Sequence, residues 1–140
     1  MMKQLWINLP VSDLKRSKEF FSNIGVPIME SRSESDQMLG LLIGNPPVQI
    51  MLFTDEQFKG FTQNELTDTN ESTEVLFSIS VETKEELDET IGKVKQAGGF
   101  VFGEPTQRNG LYGAGFADLD GHRWNLLVMQ FSEVCKLKAT

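Results

Sequence analysis

A chain of 140 residues with 13 Lys+Arg against 20 Asp+Glu carries a net charge of −7, and this acid excess leaves no basic stripe to displace phosphate counterions, which argues against nucleic acid as a partner. Its composition, 39% hydrophobic with ten Phe, suits one folded domain over residues 1–140, and no stretch approaches the ~20 apolar residues of a membrane span. One histidine, His122, and one cysteine, Cys135, exclude an internal disulfide and leave almost nothing for zinc, iron or copper sites, which draw on those residue types.

The lone thiol suits the reducing cytosol, and the N-terminus lacks the basic-then-apolar order of a signal peptide, so a cytoplasmic protein is expected. From Gln4 to Val11 the residues alternate: Leu5, Ile7, Leu9 and Val11 against Trp6, Asn8 and Pro10. That period predicts a strand with one buried face. Ser12 or Asp13 then offers a helix N-cap, Leu14, Phe20, Phe21 and Ile24 follow at helical spacing, and Gly25 is the stop. The apolar runs Met38–Ile43 and Val48–Phe53 flank Gly44-Asn45-Pro46-Pro47, a turn between antiparallel strands.

The segment from Thr54 to Glu74 differs, with Asp55, Glu56, Glu65, Asp68, Glu71 and Glu74 against Lys59. It reads either as a solvated linker with Phe58 and Phe61 tucked beneath it or as a flap closing over a pocket. Beyond it the pattern restarts. Phe77, Ile79 and Val81 alternate with Leu76, Ser78 and Ser80; Thr83 and Glu86 form a capping-box pair; Leu87, Ile91 and Val94 mark a helix face ending at Gly98-Gly99. Strands around Phe100–Gly103, Leu111–Ala117 and Arg123–Val128 complete the chain, the last two joined through Leu119-Asp120-Gly121.

The order strand–helix–strands therefore occurs twice, in repeats of about 3–54 and 75–130 joined by 55–74. An α+β fold is expected, with two βαβββ repeats forming a concave, mostly antiparallel sheet and helices on its outer face. The opposite strand faces, including Trp6, Asn8, Met51, Phe53 and Asn125, would line the concavity.

Ile7-Asn8-Leu9-Pro10-Val11-Ser12-Asp13-Leu14, with Ser17, Phe20-Phe21 and Gly25, resembles the opening of the glyoxalase/bleomycin-resistance/dioxygenase (vicinal oxygen chelate) superfamily. Tyr112-Gly113, Phe116, Asp118-Leu119-Asp120-Gly121-His122 and Trp124 resemble its closing segment, and Phe58-Lys59-Gly60-Phe61-Thr62 with Thr73-Glu74-Val75-Leu76 is most similar to its predicted lactoylglutathione lyase branch. The resemblance assigns the family's metal ligands, usually His or Glu, to the positions of Trp6, Met51, Leu76 and Asn125. Only Asn125 offers an oxygen there, and a thioether suits Cu(I) rather than Zn²⁺ or Ni²⁺. No metal and no cofactor are therefore expected, and neither is an active metal-dependent lactoylglutathione lyase.

Two functions stay open, beside a structural or regulatory dimer whose pocket is closed. One is a metal-independent protein that binds, and so sequesters, a planar neutral or cationic small molecule, as bleomycin-resistance members do. The other is an enzyme of the superfamily with divergent chemistry, using Asn8, Asn125, Tyr112 or His122 as hydrogen-bond donors to an oxyanion. The candidate ligand residues are Trp6, Asn8, Met51, Phe53, Phe58, Phe61, Tyr112 and Asn125. Each has a structural alternative: Trp6 and Met51 as filler of the vacated metal volume, the two Asn as partners of backbone groups, Tyr112 as packing. His122, Arg108 and the pair Asp118/Asp120 read as a turn residue, a solvated loop cation and loop-shaping carboxylates, or as ligand or acid–base groups. Two repeats with exposed strand edges also point to a homodimer.

Overall fold

In the computed structural model of the chain, residues 1–30 and 37–129 are described; Cys135 lies outside them. The residues fall into two compact units, Met1–Ser72 and Thr73–Thr140. The first holds β1 (Ile7–Val11), α1 (Leu14–Asn23), β2 (Met38–Ile43), β3 (Val48–Thr54) and α2 (Asp55–Thr62). The second holds β4 (Leu76–Val81), α3 (Lys84–Gln96), β5 (Phe100–Arg108), β6 (Leu111–Ala117) and β7 (Arg123–Val128). Among the described residues no helix is long and apolar enough to cross a membrane.

Each unit builds its own sheet, ordered β1-β3-β2 in the first and β4-β7-β6-β5 in the second. In both, the first strand runs parallel to the last while the remaining pairs are antiparallel. The fourth position of the first sheet is held by a fragment: Ile28 bridges Leu41, Met29 N–H donates to Gly40 O at 2.8 Å and Leu42 N–H to Pro27 O at 3.0 Å. The α+β class and the βαβββ order follow from these pairings. The first strand is shorter than its alternation predicts, because pairing to β3 begins only at Ile7, which leaves Leu5 and Trp6 ahead of the ladder.

The helix ends repeat as well. Asp13 caps α1, its Oδ1 accepting from Lys15 N–H at 3.0 Å and Arg16 N–H at 3.1 Å. Thr83 caps α3 through Glu86 N–H at 3.1 Å, while the Glu86 carboxylate accepts from Glu82 N–H rather than closing on Thr83 itself. Each such cap stabilises its helix by about 1 kcal/mol. Both helices end in the same wrap: Val26 N–H reaches Phe21 O and Gly99 N–H reaches Val94 O, each at 2.9 Å. Gly25 and Gly98 supply the left-handed turn at φ +96° that this ending requires.

Alternation then sorts the side chains. In the first unit Leu9, Leu39, Leu41, Ile50 and Leu52 are buried together with Phe20 and Phe21 of α1, whose rings meet edge to face at 5.1 Å. In the second, Phe116, Trp124 and Leu126 are buried with Leu87, Ile91 and Val94 of α3. Full burial of each such side chain is worth about 1.5–3 kcal/mol.

The acidic segment contains a helix where composition alone suggests a loop. Thr54 and Gln57 close a full capping box, with Gln57 N–H donating to Thr54 Oγ1 at 3.3 Å and Thr54 N–H to Gln57 Oε1 at 3.2 Å. Asp55 and Glu56 add negative charge to its first turn.

Candidate functional site

In the first unit the ladder aligns Asn8, Met51 and Gly40 in one row, and Pro10, Phe53 and Met38 in the next. Both rows lie on the face opposite the Leu9–Ile50–Leu52 core. A Cβ on Gly40 would stand 2.9 Å from Met29 Cβ and 3.3 Å from the sulfurs of both Met29 and Met51. Two thioethers thus fill the space above that glycine, and Met51 is only 5% exposed. Phe53 meets Phe61 of α2 edge to face at 5.0 Å. Phe58 is half-buried and Asn8 exposed, while Trp6 and Phe61 are 51% and 62% exposed. The unit therefore joins Asn8 to Met51 and Phe53 to Phe61, with Met51 packed against Met29.

In the second unit Ser78, Asn125, Gly115 and Gly103 stand in register across four strands, and Ser80, Leu127, Gly113 and Thr106 form the neighbouring row. These rows face away from the Trp124–Phe116 core. Two glycines in β6 remove side chains from the middle of the sheet. Phe102 lies over Gly115 and Leu127 over Gly113, and beside them is a hollow of about 400 Å³ lined by Phe102, Thr106, Arg108, Gly113, Asn125 and Leu127, among others.

Gly115 is required by what lies over it. A Cβ there would come within 2.5 Å of the Phe102 ring. Register shifts on either side of Gly103 mark the irregular stretch of β5 that carries Phe102; bulges of this kind re-aim side chains near binding sites. The Arg123 guanidinium lies over the same ring, 4.7 Å from its centroid. Asn125 Oδ1 and Arg123 Nε are both buried without a hydrogen-bond partner. An unpaired buried acceptor costs about 1–3 kcal/mol, so these two atoms stand out against the otherwise satisfied sheet.

Tyr112 does not share this face. It pairs with Val128, one step out of phase with Asn125 and Gly115, and so turns toward α3. Its hydroxyl donates to Asp88 Oδ1 at 2.6 Å, and Lys84 Nζ lies 5.1 Å from its ring centroid. The hydrogen bond to Asp88 raises the phenol above its ordinary pKa, with desolvation and the charges of Asp88 and Glu85 adding to the rise. Asp118 organises the β6–β7 turn: its Oδ1 accepts from Asp120 N–H and His122 N–H, each at 3.0 Å, and its Oδ2 accepts from the Trp124 indole at 2.9 Å. Burial pushes its carboxyl up, against the opposing pull of His122, the indole and the Asp120 N–H. The loop-shaping role expected of Asp118 matches this geometry, and His122 is buried in the same turn.

Phe102, Arg123 and Gly115 carry no motif signal in the sequence, and Gly113 stands out there only beside Tyr112 in the family motif. The available signal was Gly113-Ala114-Gly115 inside a strand, since strand glycines mark places where another group approaches the backbone.

The four positions that the resemblance gives to a metal do not fit one. Trp6 and Leu76 carry no donor, the Met51 sulfur is packed beside Met29, and Asn125 supplies a single amide oxygen. Among the described residues His, Cys, Asp and Glu nowhere gather in a group of three that could hold an ion.

Comparison with solved structures finds the same fold. The hypothetical protein SA1046 from S. aureus is 41% identical with a TM-score of 0.83, over 92% of this chain and 95% of that one. A glyoxalase/bleomycin resistance protein/dioxygenase family enzyme from Burkholderia phytofirmans is 18% identical with a TM-score of 0.74, over 89% and 97%. The fosfomycin resistance protein FosX from Listeria monocytogenes is 21% identical with a TM-score of 0.65, over 95% and 98%. No curated protein matches. The Glyoxalase/Bleomycin resistance protein/Dioxygenase superfamily pattern matches residues 3–126, and with that span and the 41% identity over 92% of its length the chain belongs to this superfamily.

Proposed function

We propose that the protein binds a planar small molecule on the face of its second sheet that points away from α3, and that it does so without a metal. The observation that carries this reading is the Asn125 amide oxygen, buried and unpaired in a hollow of about 400 Å³. That volume falls within the ~300–1,000 Å³ range of small-molecule sites. Phe102 and Leu127, which lie over the β6 glycines, supply apolar walls, and Asn125 is proposed to fix orientation by accepting one hydrogen bond. Within the first unit, taken by itself, Trp6, Asn8, Phe53, Phe58 and Phe61 are proposed as ligand contacts of that unit's own sheet face, with Met51 as packing.

Glyoxalase I chemistry needs a metal to polarise a carbonyl and a carboxylate base beside it. Trp6, Met51, Leu76 and Asn125 supply neither, so sequestration is favoured over lactoylglutathione lyase activity. A homodimer is part of the same proposal, because β1, β4 and β5 are the outer strands of their sheets and outer strands are commonly covered by subunit pairing.

The test is a saturation-transfer NMR screen of planar aromatic fragments against EDTA-treated protein, paired with elemental analysis after dialysis. Fragments should bind the metal-free protein and lose binding in Asn125→Leu. About one Zn, Ni or Fe retained per chain, or binding seen only after metal is restored, would overturn the proposal.

A further inference from the structure

We propose that the ligand of this hollow is an anion: a planar organic acid whose carboxylate meets Arg123 and whose O–H or N–H donates to Asn125 Oδ1. The inference rests on reading this sheet face as the binding site and adds the charge of what binds there.

Arg123 and Asn125 are two residues apart on β7, hence on one face and about 7 Å apart along the strand. Arg123 is half-buried, with its guanidinium held against Phe102 and its Nε buried and unpaired. Among the described residues no carboxylate stands within ion-pair distance of it. Glu104, on the rim, has its Oε1 engaged by Lys95 Nζ at 2.8 Å. Arg108 lines the hollow. Arg123 itself does not line the hollow but borders it through the Phe102 ring, so the nearby charges are Arg108 on the lining and Arg123 behind Phe102, against one carboxylate already paired to a lysine.

A guanidinium partly withdrawn from water is costly until an acceptor reaches it. Its Nε and adjacent Nη form a fork that fits the two oxygens of a carboxylate, and the Phe102 ring 4.7 Å away holds the cation near the hollow. The unpaired donor of Arg123 and the unpaired acceptor of Asn125 together describe a ligand with an anionic group and a hydrogen-bond donor, joined by a planar body. The net charge of −7 suggested a neutral or cationic ligand. At physiological salt, however, charges act over only ~8 Å, so the groups close to the hollow decide and the distant acids do not.

The test is calorimetric titration of the full chain near neutral pH with 4-hydroxybenzoate and with its neutral isostere 4-hydroxybenzamide. Wild type is expected to bind the acid at least about tenfold more tightly than the amide, a gap typical of replacing a neutral hydrogen bond by a charge-assisted one. Arg123→Met should bring the acid down to the amide's affinity, and Asn125→Leu should weaken both. A readout that needs no variant is the wild-type salt dependence between about 50 and about 500 mM NaCl, where the acid's affinity falls and the amide's holds. Equal affinities for acid and amide, both lost in Asn125→Leu, would overturn the anion and leave the site standing. Binding of neither compound would overturn both.

Discussion

Replacing Asn125 by Leu separates a site residue from a structural one through stability alone. Its amide oxygen is buried without a partner, so the free protein bears the cost of an unsatisfied acceptor, about 1–3 kcal/mol. Leucine has a similar volume and no polar atom, and its Cδ atoms would face Leu127 and Phe102, which line the same hollow. Removing the penalty while adding apolar contact should stabilise the unliganded protein by about 1–2 kcal/mol. For a chain of this size that corresponds to a Tm rise of about 3–6 °C. Urea unfolding with an unchanged m-value is the assay, since a shifted midpoint at constant m reports stability rather than altered compactness. A gain in stability coupled to lost ligand binding is the trade expected where a polar group is kept for function. Destabilisation by more than about 1 kcal/mol would show that Oδ1 has a structural partner and would refute the reasoning.

Gly40→Ala should destabilise the first unit by about 1–3 kcal/mol, because the new Cβ meets the rigid Cβ of Met29 at 2.9 Å; urea unfolding reads this directly. Gly115→Ala should cost less, as the Phe102 ring at 2.5 Å can swing aside, yet it should abolish fragment binding by displacing that wall. Asp118→Ala should cost more than about 3 kcal/mol, since it strands two backbone N–H groups and the Trp124 indole in a buried turn, and the Trp fluorescence transition will show it. Tyr112 is the single tyrosine, so its ultraviolet absorbance titrates alone. Its folded pKa is raised, so the Tyr112–Asp88 bond contributes below the unfolded value of about 10 and is lost as pH climbs through the higher folded value. Asp88→Asn should bring that titration back down.

The helix boundaries were legible because their signals are local: Asp13 and Thr83 as caps, Gly25 and Gly98 as stops, Leu87, Ile91 and Val94 on one stripe. Helix α2 is hidden in the sequence although Thr54 and Gln57 stand at capping-box spacing, because Thr54 also ends a strand and the acidic composition of the segment masks the start. The two faces of the second sheet could not be sorted from single strands. Whether Tyr112 or Gly113 shares a side with Asn125 depends on the β6–β7 register, which alternation within one strand does not set. Met51 was expected in the concavity, and its cover, Met29, arrives from a fragment pairing with β2 that has no periodic pattern of its own. Phe102 owes its place to the register shifts of β5, and Arg123 carries no signal of its own in the sequence, because total charge does not report the charge around a site.

The most direct test of metal-free binding on the second sheet is an amide ¹H–¹⁵N correlation spectrum of the EDTA-treated protein, recorded as 4-hydroxybenzoate is added. The account predicts shifts concentrated at Gly103, Thr106, Gly113, Gly115, Asn125 and Leu127, with the pattern unchanged when Zn²⁺ is supplied afterwards. Shifts confined to residues remote from that face, or appearing only once Zn²⁺, Ni²⁺ or Fe²⁺ is present, would contradict it.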